Sequence, residues 1–404
     1  MNTALVPQNP FRPGAGHLPP YLAGRDTEQK QFETLLQQKP VLQNLIITGL
    51  RGIGKSVLME SLKPSAARHR WAWIGTDLTE SASISEEIFA ERLLTDLSVF
   101  SSALKIKGKK VKAIGFNATS SSGEIPLNYA TLRGIFDATP GLVSDKLRGI
   151  IELVAGLAQA AGVSGIVFAY DEAQTMFDNP DEKQYPLALL LDVFQSIQRK
   201  GTQVMLVLTG LPTLFPKLVQ ARTFAERMFR VIELKPLGRQ ESELAIREPF
   251  KLKSIPREYH FTDDVVRTIA VTAAGYPYFL QFIGKEVFDI SGARPGEPKL
   301  AVPIDAIVKK LDQEFFSGRW ARVTDRQRDL IKIISQLPSA NDEFTVQEIA
   351  EKSRESEGTK PFKPSQIVQM LAVLTERGLV YKDRHGKYFF AVPLFADFVK
   401  RLRD

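Results

Sequence analysis

Cysteine is absent from all 404 positions, and histidine occurs only four times. The first absence excludes disulfides and thiolate metal ligands. His17, His69, His260 and His385 are scattered without metal-ligand spacing, so catalytic zinc is not expected. Long apolar runs are missing too. The most membrane-like stretch, Ile150 to Tyr170, is broken by Glu152, Gln159 and the turn from Gly162 to Gly165. It reads as a helix, a turn and a buried strand, and no membrane contact is expected. The N-terminus lacks the basic region and apolar core of a signal peptide. Together with the missing cysteines this gives a cytoplasmic protein as the expectation.

What is present is globular in character: hydrophobic residues make up 44% and charged residues 25%. The length exceeds one ordinary domain. A formal net charge of +7 allows an anionic partner such as nucleic acid.

The stretch TGLRGIGKS, from Thr48 to Ser56, follows the apolar run Leu45 to Ile47 and precedes a helix-like VLMESL. It fits G-x-x-x-x-G-K-[ST] through Gly49, Gly54, Lys55 and Ser56. A strand feeding a glycine loop into a helix aims backbone N–H groups and the positive helix end at phosphate. Lys55 then reaches the β and γ phosphates and the Ser56 hydroxyl ligates Mg²⁺. Gly52 and Val57 complete the nucleotide-binding segment. Downstream, GIVFAYDEAQ places a continuous apolar run, Ile166 to Tyr170, before Asp171 and Glu172. Such a run is what a strand buried on both faces requires. Asp171 is expected to hold Mg²⁺ and Glu172 to polarise the attacking water as general base. A third buried run, Val204 to Gly210, carries Thr209, whose hydroxyl either touches the γ-phosphate or lytic water or satisfies backbone at a strand end. No G-x-S-x-G or similar nucleophile setting occurs, which leaves phosphoanhydride hydrolysis as the defensible chemistry.

In this order the elements resemble the AAA+ and STAND group of P-loop ATPases, including initiator-type, transposition-regulator and archaeal-type members. The resemblance covers roughly residues 19 to 400, with specific motifs in patches. It implies ATP and Mg²⁺ as cofactors and Thr209 as the first sensor. PPYLAGRDTEQ resembles the N-terminal adenine box, with Tyr21, Leu22 and Arg25 as the residues that box contributes. Two departures are visible. The interval from Lys55 to Asp171 is long, the excess lying at residues 101 to 126. In place of a second-sensor arginine the chain has Gly275-Tyr276-Pro277, similar to the G-x-P signature of STAND lids, which implies Pro277 near the nucleotide. The family also implies an arginine finger, for which Arg222, Arg227 and Arg230 are candidates. Arg227 is preferred by its distance from the strand expected at 231 to 234, the other reading being a surface or salt-bridged arginine.

Along the chain, residues 1 to 20 read as a Pro- and Gly-rich extended arm. Residues 21 to 236 read as an α/β core with a five-stranded parallel sheet, strands at 44–48, 71–77, 166–170, 204–209 and 231–234. Within the insertion, Leu104 to Phe116 alternates lysine with apolar residues around Gly108. That predicts a β-hairpin, serving either as a basic finger or as edge protection. Residues 237 to 318 read as an α-helical lid. Residues 319 to 404 read as three helices and a hairpin, resembling a winged helix-turn-helix domain; Thr345 and Glu348 have capping-box spacing and Gly378 ends the third helix. If that domain meets duplex DNA, Lys363, Gln366, Lys382, Arg384 and Lys387 are the candidate contacts. Winged helices also dock proteins. The expectation is therefore an ATP-binding and hydrolysing switch that gates DNA binding or assembly, homo-oligomerisation being possible. The alternative is a STAND-like signalling ATPase whose nucleotide state controls oligomerisation and the recruitment of an unidentified protein partner without DNA.

Overall fold

The computed structural model describes residues 8–14, 16–107, 124–256, 259–291, 303–356, 360–382 and 386–402. The chain divides into two compact units, each with its own hydrophobic core. One comprises Asp26–Thr48 and Leu58–Glu233; the other comprises Met1–Arg25, Gly49–Val57 and Leu234–Asp404.

The first unit is built on strands β1 (Asn44–Thr48), β2 (Trp71–Ile74), β5 (Gly165–Tyr170), β6 (Val204–Gly210) and β7 (Phe229–Glu233), with β3 and β4 set apart in the insertion described below. They form one sheet in the order β2-β5-β6-β1-β7 with every pair parallel. The central strands β1, β5 and β6 are buried along their whole length, which is why their sequences are unbroken apolar runs. The edge strand β7 is buried only at Phe229 and Ile232. One polar residue starts β1 for a physical reason. The buried Asn44 exchanges side-chain amide bonds with Gln198 at 3.2 and 2.7 Å and accepts from the Leu206 N–H at 2.7 Å. All its groups are satisfied, so the pair locks β1 to β6 in register. Thr48 pairs with Gly210, so β1 and β6 end at the same edge of the sheet.

One expectation is corrected here. Strand β2 stops at Ile74 rather than continuing to 77, because Gly75 adopts a φ of +118° and packs so closely that a Cβ would lie 1.9 Å from the Ala169 carbonyl oxygen. Most of the hairpin expected at Leu104 to Phe116 around Gly108 lies outside the described residues. β3 (Lys105–Lys107) pairs with β4 (Glu124–Pro126), antiparallel, with Ile106 opposite Ile125. Residues 108–123 between them lie outside the described residues.

The second unit is helical, with a small hairpin. Helices Arg239–Arg247, Asp263–Ala273, Pro277–Ser291 and Ile304–Leu311 are followed by Asp325–Ser335, Val346–Glu355 and Pro364–Glu376. Next come strands β8 (Val380–Lys382) and β9 (Tyr388–Phe390), paired antiparallel, and a final helix Phe395–Arg401. Thr345 caps its helix reciprocally with Glu348, and Gly378 ends the Pro364 helix at a φ of +66°. A single core runs through the whole unit. Phe279 lies 5.2 Å from Phe315 and 5.9 Å from Phe316, and Phe316 in turn stacks on Phe398 at 5.1 Å. Even the N-terminal arm joins this core. Phe11 is buried and stacks on Phe261 at 5.7 Å, while the Arg12 N–H donates to Gln281 at 2.9 Å. No helix among the described residues is long and apolar enough to cross a membrane.

Phe316, fully buried and touching aromatic rings from two helices, Pro277–Ser291 and Phe395–Arg401, is the test of that shared core. Phe316→Ala is expected to destabilise this unit by about 3–5 kcal/mol, measured by urea denaturation. A loss below about 1 kcal/mol would argue that these helices do not share one packed interior.

Candidate functional site

In the helical unit, the phosphate-loop segment is held by its backbone. Helix Lys55–Arg68 begins inside the motif, so the first-turn N–H groups of Lys55, Ser56 and Val57 have no intrahelical acceptor. A helix start of this kind, preceded by glycines, is an anion-binding arrangement. Gly52 and Gly54 adopt φ of +75° and +95°, which other residues resist. At Gly52 a Cβ would also lie 3.2 Å from the Cβ of Tyr278. Lys55 is buried, and its Nζ donates to the carbonyls of Gly49 at 3.1 Å and Leu50 at 3.0 Å. Pro277 approaches Gly54, its Cγ 3.9 Å from where a Cβ would stand, and the next residue, Tyr278, donates its N–H to Gly52 O at 3.2 Å. From the C-terminal side, the Ala391 carbonyl accepts the Arg51 N–H at 3.4 Å.

Arg25 joins this site through backbone carbonyls. It is 5% exposed, and its Nη2 donates to the carbonyls of Ile53 at 3.3 Å and Lys235 at 3.0 Å. It thereby ties the phosphate loop to the segment that leaves the sheet. Tyr21 is 37% exposed and Leu22 partly exposed; neither has a hydrogen bond to the loop among the described residues.

In the sheet unit, Asp171 and Thr209 meet directly. Asp171 is 4% exposed and its Oδ1 accepts from the Glu172 N–H at 2.8 Å and from the Thr209 hydroxyl. Thr209 thus satisfies a carboxylate rather than backbone. Glu172 sits in the left-handed region at a φ of +51°, an uncommon conformation for a non-glycine residue at the end of a strand. Its carboxylate accepts from the side chain of Gln174. Gln174 was not expected to take part. Its Oε1 accepts from the Leu211 N–H at 3.0 Å, just beyond β6, and its carbonyl accepts from Lys217 at 2.8 Å. One side chain therefore bridges the expected base and the strand that carries Thr209. The only signal available in the sequence was the Gln closing DEAQ.

Asp77 completes an acidic edge. Its backbone bridges to Asp171, and its carboxyl is raised above the ordinary value by partial burial first, then by the charges of Asp171 and Glu172. Crowded carboxylates of this kind suit a divalent cation, although no cluster of three ligands with metal spacing occurs among the described residues. Among the arginines considered for a finger, Arg222 forms a two-pronged pair with Asp192 at 2.8 and 2.7 Å and Arg230 donates to Gln31 at 3.2 Å. Arg227 is exposed, and among the described residues its side chain makes no hydrogen bond or ion pair.

Of the candidate DNA contacts, Lys363, Gln366 and Lys382 are exposed. The Gln366 side chain accepts from the Lys363 N–H at 3.1 Å, capping its own helix, and Lys382 lies 5.6 Å from the Tyr388 ring. Lys387 is ion-paired to Glu343. Arg384 lies outside the described residues.

Residues 21–219 match the family model described as AAA ATPase domain, and residues 313–399 match that of a domain of unknown function, DUF8462. No curated protein matches the chain. Among solved structures, the Walker-type ATPase PABY2304 of Pyrococcus abyssi is similar at a TM-score of 0.60 and 16% identity, covering 94% of this chain and 96% of that one. The ORC2 protein of Aeropyrum pernix in its ADP form is similar at 0.55 and 13%, covering 96% and 97%. At such identities the likeness is one of fold: a P-loop ATPase core with a five-stranded parallel sheet, a helical lid and a winged-helix domain.

Because burial and like charge raise the Asp77 carboxyl, its ionised form weakens the fold. The stability of the sheet unit attached to this group is present below the unfolded value near 3.8 and is lost as pH rises through the higher folded value. Asp77→Asn is therefore expected to raise the melting temperature at pH 7 and to change it little near pH 3. An equal change at both pH values would show that charge repulsion is not the cause.

Proposed function

We propose, from the premise that residues 21–219 form a AAA ATPase domain, that this chain is a Mg²⁺-dependent ATP-binding and hydrolysing switch whose C-terminal domain meets duplex DNA in one nucleotide state. The observation that carries this reading is the seating of the phosphate loop. Its Gly52 carbonyl is bonded to Tyr278 of the lid, and its Arg51 N–H is bonded to Ala391 of the C-terminal domain. A change in the loop on binding phosphate is therefore felt at once by both, which is what a nucleotide-gated switch requires.

In this reading the functional division follows an arm (1–20), a core (21–236), a lid (237–318) and a winged-helix domain (319–404). Lys55 and the loop of Gly49, Gly52, Gly54, Ser56 and Val57 bind the phosphates, while Tyr21, Leu22, Arg25 and Pro277 support the rest of the nucleotide. Ser56 and Asp171 are the residues that would hold Mg²⁺, which when bound neutralises charge developing on the phosphates. Glu172 takes the proton of the attacking water, Thr209 keeps Asp171 oriented, and Arg227 serves a neighbouring copy. Lys363, Gln366, Lys382, Arg384 and Lys387 form the DNA-facing set. The second reading, a signalling switch that recruits a protein without DNA, draws support from Lys387 and Gln366, whose polar groups already have partners within the chain.

Lys55→Ala is expected to weaken ATP binding about 10- to 100-fold, the loss of charge-assisted bonds, read by equilibrium titration with a fluorescent ATP analogue. Unchanged affinity would remove the loop from nucleotide binding. Glu172→Gln should retain binding while turnover falls on the order of 10²-fold or more, and chelation of Mg²⁺ should abolish turnover in the unaltered protein. Duplex DNA affinity that falls steeply with salt favours the DNA reading; salt-independent or absent binding favours recruitment of protein.

A further inference from the structure

In the sheet unit, Ile84, Ile88, Phe177 and Tyr185 are between 37% and 51% exposed, although Phe89, Met176 and Pro186 next to them in the chain are buried. Hydrogen bonds bring their two chain segments together. The Ser83 hydroxyl donates to the Thr175 carbonyl at 3.5 Å, the Glu86 N–H donates to the Gln184 side chain at 3.0 Å, and the Tyr185 N–H donates to the Glu86 carboxylate at 3.3 Å. Asn179 and Gln184 exchange backbone bonds at 2.7 and 3.0 Å, which folds the segment from Phe177 to Tyr185 back on itself. Ser85 caps the helix Glu86–Ser101, accepting from the Ile88 N–H at 3.2 Å. The four apolar residues thus share one surface and stand on fixed backbone. Single exposed apolar residues are ordinary, whereas several gathered on ordered backbone mark a contact surface whose ordering cost is already met.

The charge around them is of one sign. Glu80, Glu87, Asp181 and Glu182 are exposed, and Lys183 is the one basic residue in segments 79–88 and 177–185. No lysine or arginine pairs with these four carboxylates among the described residues; the arginines nearest the helix Glu86–Ser101 are taken elsewhere, Arg92 by Asp96 and Arg133 by Glu91. An acidic rim repels nucleic acid and anionic lipid and attracts a cationic chain. The surface also adjoins the expected base. The Thr175 hydroxyl donates to the Leu78 carbonyl at 3.2 Å, the Leu78 N–H donates to the Asp171 carbonyl at 2.9 Å, and Gln174, next to Thr175, donates to the Glu172 carboxylate.

We propose that Ile84, Ile88, Phe177 and Tyr185, with the carboxylates around them, are a docking surface for a protein segment that interleaves lysine or arginine with apolar residues, and that its occupancy changes the rate of hydrolysis through Thr175 and Gln174. The apolar centre supplies affinity, while the acidic rim speeds encounter and selects the sign of the partner. Docking stands independently of the ATPase reading; the effect on turnover rests on it.

The test selects a random library of short peptides on the full chain, with counter-selection on an Ile84→Ser/Tyr185→Ser variant. Binding of the selected peptides to that variant and to Glu87→Lys/Asp181→Lys is then measured by fluorescence anisotropy. All four positions are exposed, so both variants are expected to keep the melting temperature of the unaltered protein. The selected peptides are expected to combine basic with aliphatic or aromatic residues, to bind each variant about tenfold or more weakly, and to change ATP turnover in the unaltered protein but not in the variants. Peptides without basic residues, or equal affinity for the protein and its variants, would overturn the docking surface. So would a loss, in the Ile84→Ser/Tyr185→Ser variant, of duplex DNA binding or of self-association in the absence of peptide, which would assign the surface to nucleic acid or to a second copy. A bound peptide that leaves measurable turnover unchanged would overturn the coupling to hydrolysis. Absence of turnover with and without peptide would refute the ATPase reading instead, and the peptide affinities would still decide the docking.

Discussion

Everything in the helical unit depends on how nine consecutive residues, Gly49 to Val57, are held by hydrogen bonds to their backbone. Lys55 gathers the carbonyls of Gly49 and Leu50, Ala391 takes the N–H of Arg51, Tyr278 reaches Gly52, and Arg25 reaches Ile53. A glycine loop left to itself loses more conformational entropy on ordering than any other segment. Here that cost is offset by partners at Arg25, Tyr278 and Ala391. The consequence is directional: a change of backbone angles at Arg51, Gly52 or Ile53 breaks a bond to one of those three partners.

The continuous core carries the consequence further. Rings from Tyr278 through Phe315, Phe316 and Phe398 stand 5.0 to 5.1 Å apart, so the lid helix that touches the loop and the last helix of the chain share packed neighbours. Close-packed interiors move between discrete arrangements rather than deforming smoothly. A displacement at Tyr278 is therefore transmitted as a repacking of rings. Phe11 extends the same core to the arm, which makes residues 8–14 part of the mechanical unit rather than a tether.

How much of this was legible in the sequence follows from the range of the interactions. Strands β1, β5 and β6 announce themselves because burial on both faces demands unbroken apolar residues, and the expected limits agree to within a residue. Strand β7 begins two residues earlier than expected because an edge strand needs burial at only some positions, and Arg230 inside it looks like a break. The capping box at Thr345 and Glu348 is local and was readable. Gln174 was not. It matters only because the end of β6 lies beside it in the parallel sheet. The burial of Phe11 was hidden for a further reason: a Pro- and Gly-rich composition predicts an extended chain but says nothing of what one aromatic within it will find.

The sheet unit illustrates a complementary restraint. Asp171, Glu172 and Asp77 crowd negative charge at the end of β5, and the protein tolerates this through neutral donors: the Thr209 hydroxyl, the Glu172 N–H and the Gln174 amide. Neutral donors steady a carboxylate without cancelling its charge, whereas an arginine or lysine in the same place would satisfy the site and remove its demand for a cation. There the fold withholds the opposite charge, at a cost to its own stability that a bound cation would recover. A ligand that supplies that charge shifts the population by its differential affinity, and about 5.5 kcal/mol of such preference suffices to move an equilibrium from 1:99 to 99:1. Charge left unpaired by construction is thus the means by which a marginally stable fold makes its conformation depend on what it binds.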